Sequence, residues 1–230
     1  MPDHATIYLR EAERYEQLVS KQSPLGEFME QIIPFHGLDA VDLGAGTGRL
    51  TAVLAQKARS VTAVDASEAM LRVNADRLRA AAPPCRWQTV AADYRALPLE
   101  DDSADLTTAG WSICYAASGD VPQWRDNLAA IMAECRRVLR PGGAVVIFET
   151  MGTGHETPQP PAFLLPYYAA LESEYGFAHR WIRTDYRFDD PGQAESLTRF
   201  FFGDELADTV RANRMSLLPE CAGVWWRCAP

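Results

Sequence analysis

The chain has 230 residues, 47% of them hydrophobic, enough for one sizeable core with a small lid. Its formal net charge is -9, Lys21 and Lys57 are its only lysines, and its arginines are scattered, which speaks against a nucleic-acid partner, because phosphate contacts need clustered cations. No apolar run reaches the ~20 residues of a membrane span, and the N-terminus mixes acids and bases without a signal-type apolar stretch. A soluble, cytoplasmic protein with no membrane partner is expected. The five cysteines are odd in number and lack zinc or redox spacing, so they read as free thiols.

In chain order, Ile7, Leu9, Tyr15, Leu18 and Val19 recur near the helical period, and Leu25, Phe28, Met29 and Ile32 resume it after Pro24, predicting helix across residues 7–33. Residues 40–43 read as a buried strand ending at a glycine cluster, and residues 49–57 as a helix. Residues 61–64 are a second strand closed by Asp65. Ser67 is an N-cap for a helix to about Arg79. Residues 87–91 and 104–110 are the third and fourth strands, and residues 123–139 a long helix stopped by Pro141-Gly142-Gly143. Residues 144–148 are the fifth strand. Alternation of strand and helix implies a parallel sheet covered on both faces. Beyond it come a loop over residues 151–162, a helix over 162–175, a strand over 179–188, a helix over 192–213 and a last strand over 223–228.

In such a doubly wound sheet ligands sit beyond the carboxyl ends of the strands. Gly44, Gly46 and Gly48 follow the first strand there, where the backbone must turn sharply and approach a ligand closely. Asp65, about 20 residues on, suits ribose hydroxyls. A dinucleotide fingerprint would place its third glycine where Arg49 stands. Residues 41–48, Val-Asp-Leu-Gly-Ala-Gly-Thr-Gly, instead resemble the first motif of the class I methyltransferases that use S-adenosylmethionine (SAM). Val64-Asp65-Ala66-Ser67 with Met70, Ala92-Asp93-Tyr94, residues 97–105 and residues 137–143 resemble that family's later motifs, in order.

The resemblance implies a single methyltransferase domain over residues 1–230. It divides into a helical lid (1–36), a SAM-binding core (37–150) and acceptor-side elements (151–230). The implied fold is α/β: a doubly wound, Rossmann-like sheet of seven strands, the last antiparallel. It implies SAM as cofactor and S-adenosylhomocysteine (SAH) as product. The cofactor contacts would be Tyr15, Asp42, Gly44, Ala45, Gly46, Gly48, Asp65, Ala66, Met70, Ala92, Asp93, Tyr94, Gly110 and Trp111, with Tyr8 a further contact from the lid. Asp65 would hold the ribose, Asp93 the adenine amine, and Gly110 and Trp111 the methionine amine.

For the acceptor, the candidates are Trp111, Tyr115, Glu149, His155, Tyr167 and Arg183. His155 and Tyr115 are the candidate catalytic residues, since an imidazole can take a proton near neutral pH. His4, His36 and His179 read as surface or fold residues. The aromatic residues between 151 and 186 suggest a lid over a small acceptor. Residues 110–115, Gly-Trp-Ser-Ile-Cys-Tyr, lack the N-P-P-Y-like motif of DNA amino-methyltransferases, and Cys114 lacks the proline preceding a cytosine-C5 nucleophile. Asp126-Asn127 falls inside a helix, the wrong place for a metal pair, so no metal is expected. The expected reaction is methyl transfer to a nitrogen or oxygen of a small molecule, by a monomer or homodimer. A protein or peptide acceptor, or a SAM-binding module without catalysis, remains an alternative reading.

Overall fold

Short apolar runs that end at a glycine or an acid become the strands of the core. The computed structural model describes residues 2–228. The N-terminal region forms helices α1 (His4–Arg10), α2 (Ala12–Val19) and α3 (Gly26–Ile32). Then come β1 (Asp39–Leu43), α4 (Arg49–Leu54), β2 (Ser60–Asp65), α5 (Glu68–Ala81), β3 (Arg86–Ala91) and β4 (Ala104–Gly110). A short α6 (Cys114–Ala117), α7 (Trp124–Val138) and a long β5 (Leu139–Thr153) follow. A 3-10 turn (Ala162–Leu164) leads into α8 (Leu165–Ser173), β6 (Ala178–Arg183) and β7 (Tyr186–Arg187). The chain closes with α9 (Pro191–Phe202), α10 (Asp204–Ala212), β8 (Leu217–Leu218) and β9 (Glu220–Cys228).

The main sheet has seven strands in the order β3-β2-β1-β4-β5-β9-β6. The first five strands in space are mutually parallel, and β9 enters antiparallel between β5 and β6. The expected doubly wound sheet with an antiparallel last strand is present. Register aligns the carboxyl ends: Leu43 lies beside Val64 and Ala109, and Gly110 beside Phe148. Because β9 runs the other way, it is its start, Glu220 opposite Thr153, that lies toward this edge.

Alternation along the strands fills two layers. Val41, Leu43 and Ile147 pack with Ile131, Cys135 and Val138 of α7 and Leu171 of α8. Ala40, Leu106, Val146 and Phe148 pack with Met29 of α3, Leu50 and Leu54 of α4 and Leu78 of α5. A third cluster joins Leu18 of α2 to Tyr186, Ala194, Leu197, Val210 and Leu218. It seats the N-terminal helices against the C-terminal ones.

Four departures from the sequence expectation have local causes. The helix expected over 192–213 breaks into α9 and α10 at Gly203, whose φ is +95°. The strand expected over 179–188 splits after Arg183, and β7 pairs with β8 in a separate two-stranded sheet. The sheet strand β5 begins at Leu139, earlier than residue 144. Register slips between the Ala104–Leu139 and Leu106–Ala144 pairs, so Pro141-Gly142-Gly143 bulges within β5. Helix α6 is too short for periodicity to reveal.

Candidate active site

The glycine loop is fixed from beneath and behind. Asp42 is buried under it and accepts from Thr51 Oγ1 at 2.6 Å and Thr108 Oγ1 at 3.0 Å. Burial pushes its carboxyl up to about 6. Asn74 donates to Thr51 Oγ1 at 3.1 Å, and Arg77 donates to the Thr47 carbonyl at 2.7 Å. The Gly46 amide donates to Asp65 Oδ2 and the Ser67 amide to Asp65 Oδ1, both at 2.8 Å. Two fixed backbone donors thus orient the Asp65 carboxylate at the end of β2. Burial raises its pKa, and the two amides oppose that.

A cavity of about 350 Å³ opens above this loop. Gly44, Ala45, Gly46, Asp65, Ala66 and Met70 line one side, and Tyr94, Gly110 and Trp111 the other, with Tyr15 from α2 closing it. Of the expected cofactor contacts, Asp42, Gly48, Ala92 and Asp93 do not line it. Asp42 is turned under the loop. Gly48 backs onto Asn74, whose Oδ1 would lie 2.5 Å from an added Cβ. The Asp93 carboxylate is clamped by Arg95 Nε at 3.0 Å and is half-exposed. Trp111 has φ +51°, a left-handed conformation that is costly for a bulky residue. Its amide donates to the Phe148 carbonyl at 2.7 Å, which holds it there.

A second cavity of about 620 Å³ adjoins the first. His4, Tyr8, Tyr15, Arg49, Trp111 and Tyr115 line both. His4 Nε2 lies 3.0 Å from the Phe201 carbonyl, which can only accept, so in the neutral ring Nδ1 accepts from Tyr115 Oη at 3.1 Å. Tyr115 in turn accepts from Tyr8 at 2.6 Å. Ser67 Oγ donates to the Tyr8 carbonyl at 2.9 Å, tying α1 to the turn after β2. Tyr115 is 46% exposed, and its phenol stays protonated at neutral pH, as an ordinary phenol does.

Among the expected acceptor residues, Trp111, Tyr115 and His155 line this second cavity. Glu149 and Tyr167 do not. Both are fully buried beneath it, with Tyr167 Oη donating to Glu149 Oε1 at 3.3 Å and the Cys114 amide at 3.0 Å. Arg183 also lies outside, paired with Asp185 at 2.8 Å. The aromatic lid expected over residues 151–186 is only partly there. Phe163 and Tyr186 reach the cavity, Tyr168 packs on Trp225 in the core, and Trp181 is exposed. Much of the aromatic wall comes instead from Tyr8, Tyr15, Phe201 and Phe202.

Three residues that sequence reasoning did not assign to the site stand in its walls. His4, read as a surface or fold residue, joins both cavities. Arg49 lays its guanidinium over the Trp111 ring, 3.5 Å from the centroid, and buried Nη2 has no hydrogen-bond partner. Burial pulls it down to about 10, so it remains a cation at neutral pH. Glu220, only 2% exposed, accepts from Thr150 Oγ1 at 3.0 Å, while its Oε2 has no partner. Burial raises Glu220 to about 7.

A larger hollow, about 810 Å³, lies between the α2–α3 connection and α4, and carries none of the glycine-loop residues. Among the described residues no group of three or more His, Cys, Asp or Glu is placed to hold a metal ion. Among them, too, no helix is long and apolar enough to cross a membrane.

Glu149 makes a stability prediction. Burial raises its carboxyl to about 7, above the unfolded value, so the folded state binds the extra proton. Its contribution is complete below pH ~4.5 and is lost as pH rises through 7, at most ~3 kcal/mol for a shift of this size. Urea midpoints at pH 5.5 and 8.0 should differ less in Glu149→Gln than in the parent. An unchanged pH slope would contradict the assignment.

The glycine loop, the carboxylate closing β2 and the order 3-2-1-4-5 with an antiparallel insertion define a class of protein. A family model described as a methyltransferase domain matches residues 41–147. The chain belongs to the class I SAM-dependent methyltransferases. It is 32% identical over 190 residues to a demethylmenaquinone methyltransferase from Staphylococcus aureus, covering 77% of this chain and 70% of that one. It is 33% identical over 151 residues to a malonyl-[acyl-carrier protein] O-methyltransferase from Pectobacterium atrosepticum, covering 65% of this chain and 53% of that one. The chain thus spans about half the length of the malonyl-type relatives it matches. A SAM-dependent methyltransferase from Aquifex aeolicus shares the fold, with a TM-score of 0.55 at 13% identity over 97% of this chain and 93% of that one.

Proposed function

We propose that this chain transfers a methyl group from SAM to a nitrogen or oxygen of a small-molecule acceptor. The carrying observation is the pair of adjoining cavities, one floored by the glycine loop and Asp65, the other walled by aromatic side chains. The residues present fit SAM. An added Cβ at Gly44 would lie 2.3 Å from Ser112 Cβ, so the loop has room only for bare backbone beside the cavity. Asp65 offers oriented oxygens for ribose hydroxyls, Met70 an apolar face for adenine, and Tyr15 an aromatic face suited to a cation, while the Trp111 ring already carries the Arg49 guanidinium.

When bound, SAM supplies an electrophilic methyl on a sulfonium, which a nucleophile must approach in line. The chain's own contribution is to hold both partners in that geometry and to exclude water. Tyr15, Trp111 and Tyr115, shared by both cavities, form the boundary across which the methyl would pass. Tyr115, whose hydroxyl is engaged by His4 and Tyr8, contributes its ring to that boundary, and His155 at the mouth can take up a released proton.

The relatives' names point to more than one kind of acceptor, a quinone precursor and an acyl group borne on a carrier protein. Enclosure of the second cavity by His4, Tyr8 and Phe201 favours a small acceptor, or a small group presented on a larger carrier. Methyl-labelled SAM incubated with a cell extract should yield a labelled, protein-free small molecule. Label found only on protein would redirect the proposal to a protein acceptor. No label anywhere, despite SAH binding by calorimetry, would refute methyl transfer.

A further inference from the structure

Arg49 and Glu220 are opposite charges in the wall of the acceptor cavity. Among the described residues the two form no ion pair: no Arg49 nitrogen lies within 4 Å of a Glu220 carboxylate oxygen, although each is near enough to favour the other's charged form. The Arg49 guanidinium lies over the Trp111 ring face, and its buried Nη2 has no hydrogen-bond partner among the described residues. Glu220 uses one oxygen on the Thr150 hydroxyl, with Thr153 beside it, and leaves Oε2 unpaired. A buried charge without a hydrogen-bonding partner costs several kcal/mol, and native proteins rarely leave one idle. Arg49 moreover stands at the first position of α4, where the helix dipole disfavours a cation. Packing alone explains neither residue.

Resting on the methyl-transfer reading above, we propose that the acceptor is bifunctional: a carboxylate-class anion docks on Arg49, and a proton-bearing amine or hydroxyl hydrogen-bonds to Glu220. A ligand with both groups satisfies both side chains, and where the second group is an ammonium its two added charges cancel. A purely cationic ligand meets Arg49 unpaired, and a purely anionic one meets Glu220. The planar guanidinium suits a carboxylate through two parallel hydrogen bonds. Glu220 holds the second group by accepting a hydrogen bond from its N–H or O–H. The aromatic side chains Tyr15, Tyr186, Phe201 and Phe202 between them offer apolar contact to the ligand's body.

The test uses the full chain saturated with SAH and four related probes: phenylalanine, 3-phenyllactate, 3-phenylpropanoate and phenethylamine. Calorimetry should show phenylalanine and 3-phenyllactate binding at least tenfold tighter than the two single-function probes. Arg49→Gln should weaken phenylalanine and 3-phenylpropanoate at least tenfold and spare phenethylamine. Glu220→Gln should weaken phenylalanine and phenethylamine and spare 3-phenylpropanoate. Glu220→Gln should keep SAH affinity within threefold, and circular dichroism should report that both variants fold. Equal binding of phenylalanine and 3-phenylpropanoate, or no binding of any probe, would overturn the proposal. So would loss of SAH affinity in both Arg49→Gln and Arg49→Lys, which would place the guanidinium on the cofactor. Any of these results leaves methyl transfer standing, because that is judged by SAH binding and extract labelling.

Discussion

Replacing Asp65 by alanine is expected to weaken SAH binding about a hundredfold, the loss of one or two charge-assisted hydrogen bonds at ~1.5–3 kcal/mol each. The carboxylate stands at the end of β2 with each oxygen fixed by a backbone amide at 2.8 Å, so its remaining lone pairs have set directions. Asparagine keeps the shape but replaces one acceptor oxygen with a donor, and should fall between wild type and alanine. Alanine also strips the Gly46 and Ser67 amides of their acceptor, which could loosen the loop without any ribose contact. An SAH analogue with a deoxyribose separates the two effects. It should bind wild type less tightly than SAH does, and Asp65→Ala should scarcely distinguish the pair. If the alanine variant discriminates the analogue as strongly as wild type, Asp65 serves the loop and not the ribose.

The donor side of the site was largely legible in the sequence because it is built from local chain. Three apolar runs end at Leu43, Asp65 and Gly110, and register brings those ends to one edge. Glycine at 44 and 46 and the N-cap Ser67 could therefore be placed by position alone. Asp42 and Asp93 were legible as acids of the right motifs, but their side chains turn to Thr51 and Thr108, and to Arg95. Position along a strand does not say which way a carboxylate faces when a nearby donor competes for it. The acceptor side was mostly illegible, because distant segments assemble it. His4 and Phe201 are 197 residues apart and meet through a hydrogen bond and a stacked pair with centroids 4.3 Å apart. The sequence pattern starts the last strand at residue 223 and leaves Glu220 outside it, whereas β9 begins at Glu220. Its signal is a lone acid between Leu217-Leu218 and Cys221-Ala222, at the start of a strand that runs antiparallel. Arg49 carried a signal too: a basic residue where a helix prefers an acid.

Gly44 offers the sharpest test of the loop itself. It adopts φ +63°, where a non-glycine residue costs ~1–2 kcal/mol. The added Cβ would also lie 2.3 Å from Ser112 Cβ and 2.8 Å from its Oγ, so the β1 and β4 ends must part. Ser112 cannot simply rotate away, because its Oγ donates to the Leu43 carbonyl at 2.9 Å and the clash involves Cβ itself. Gly44→Ala is therefore expected to lower stability by about 2–4 kcal/mol and to lower SAH affinity by at least a hundredfold, read by urea unfolding and calorimetry. Ser112→Gly removes the clashing atom and should recover part of both losses in the double variant, leaving the backbone strain of position 44. Recovery to nearly full stability would mean that strain was small and contact dominated. Absence of any recovery would mean that the β4 end does not abut the loop as described, and the cofactor cavity would then lack its floor.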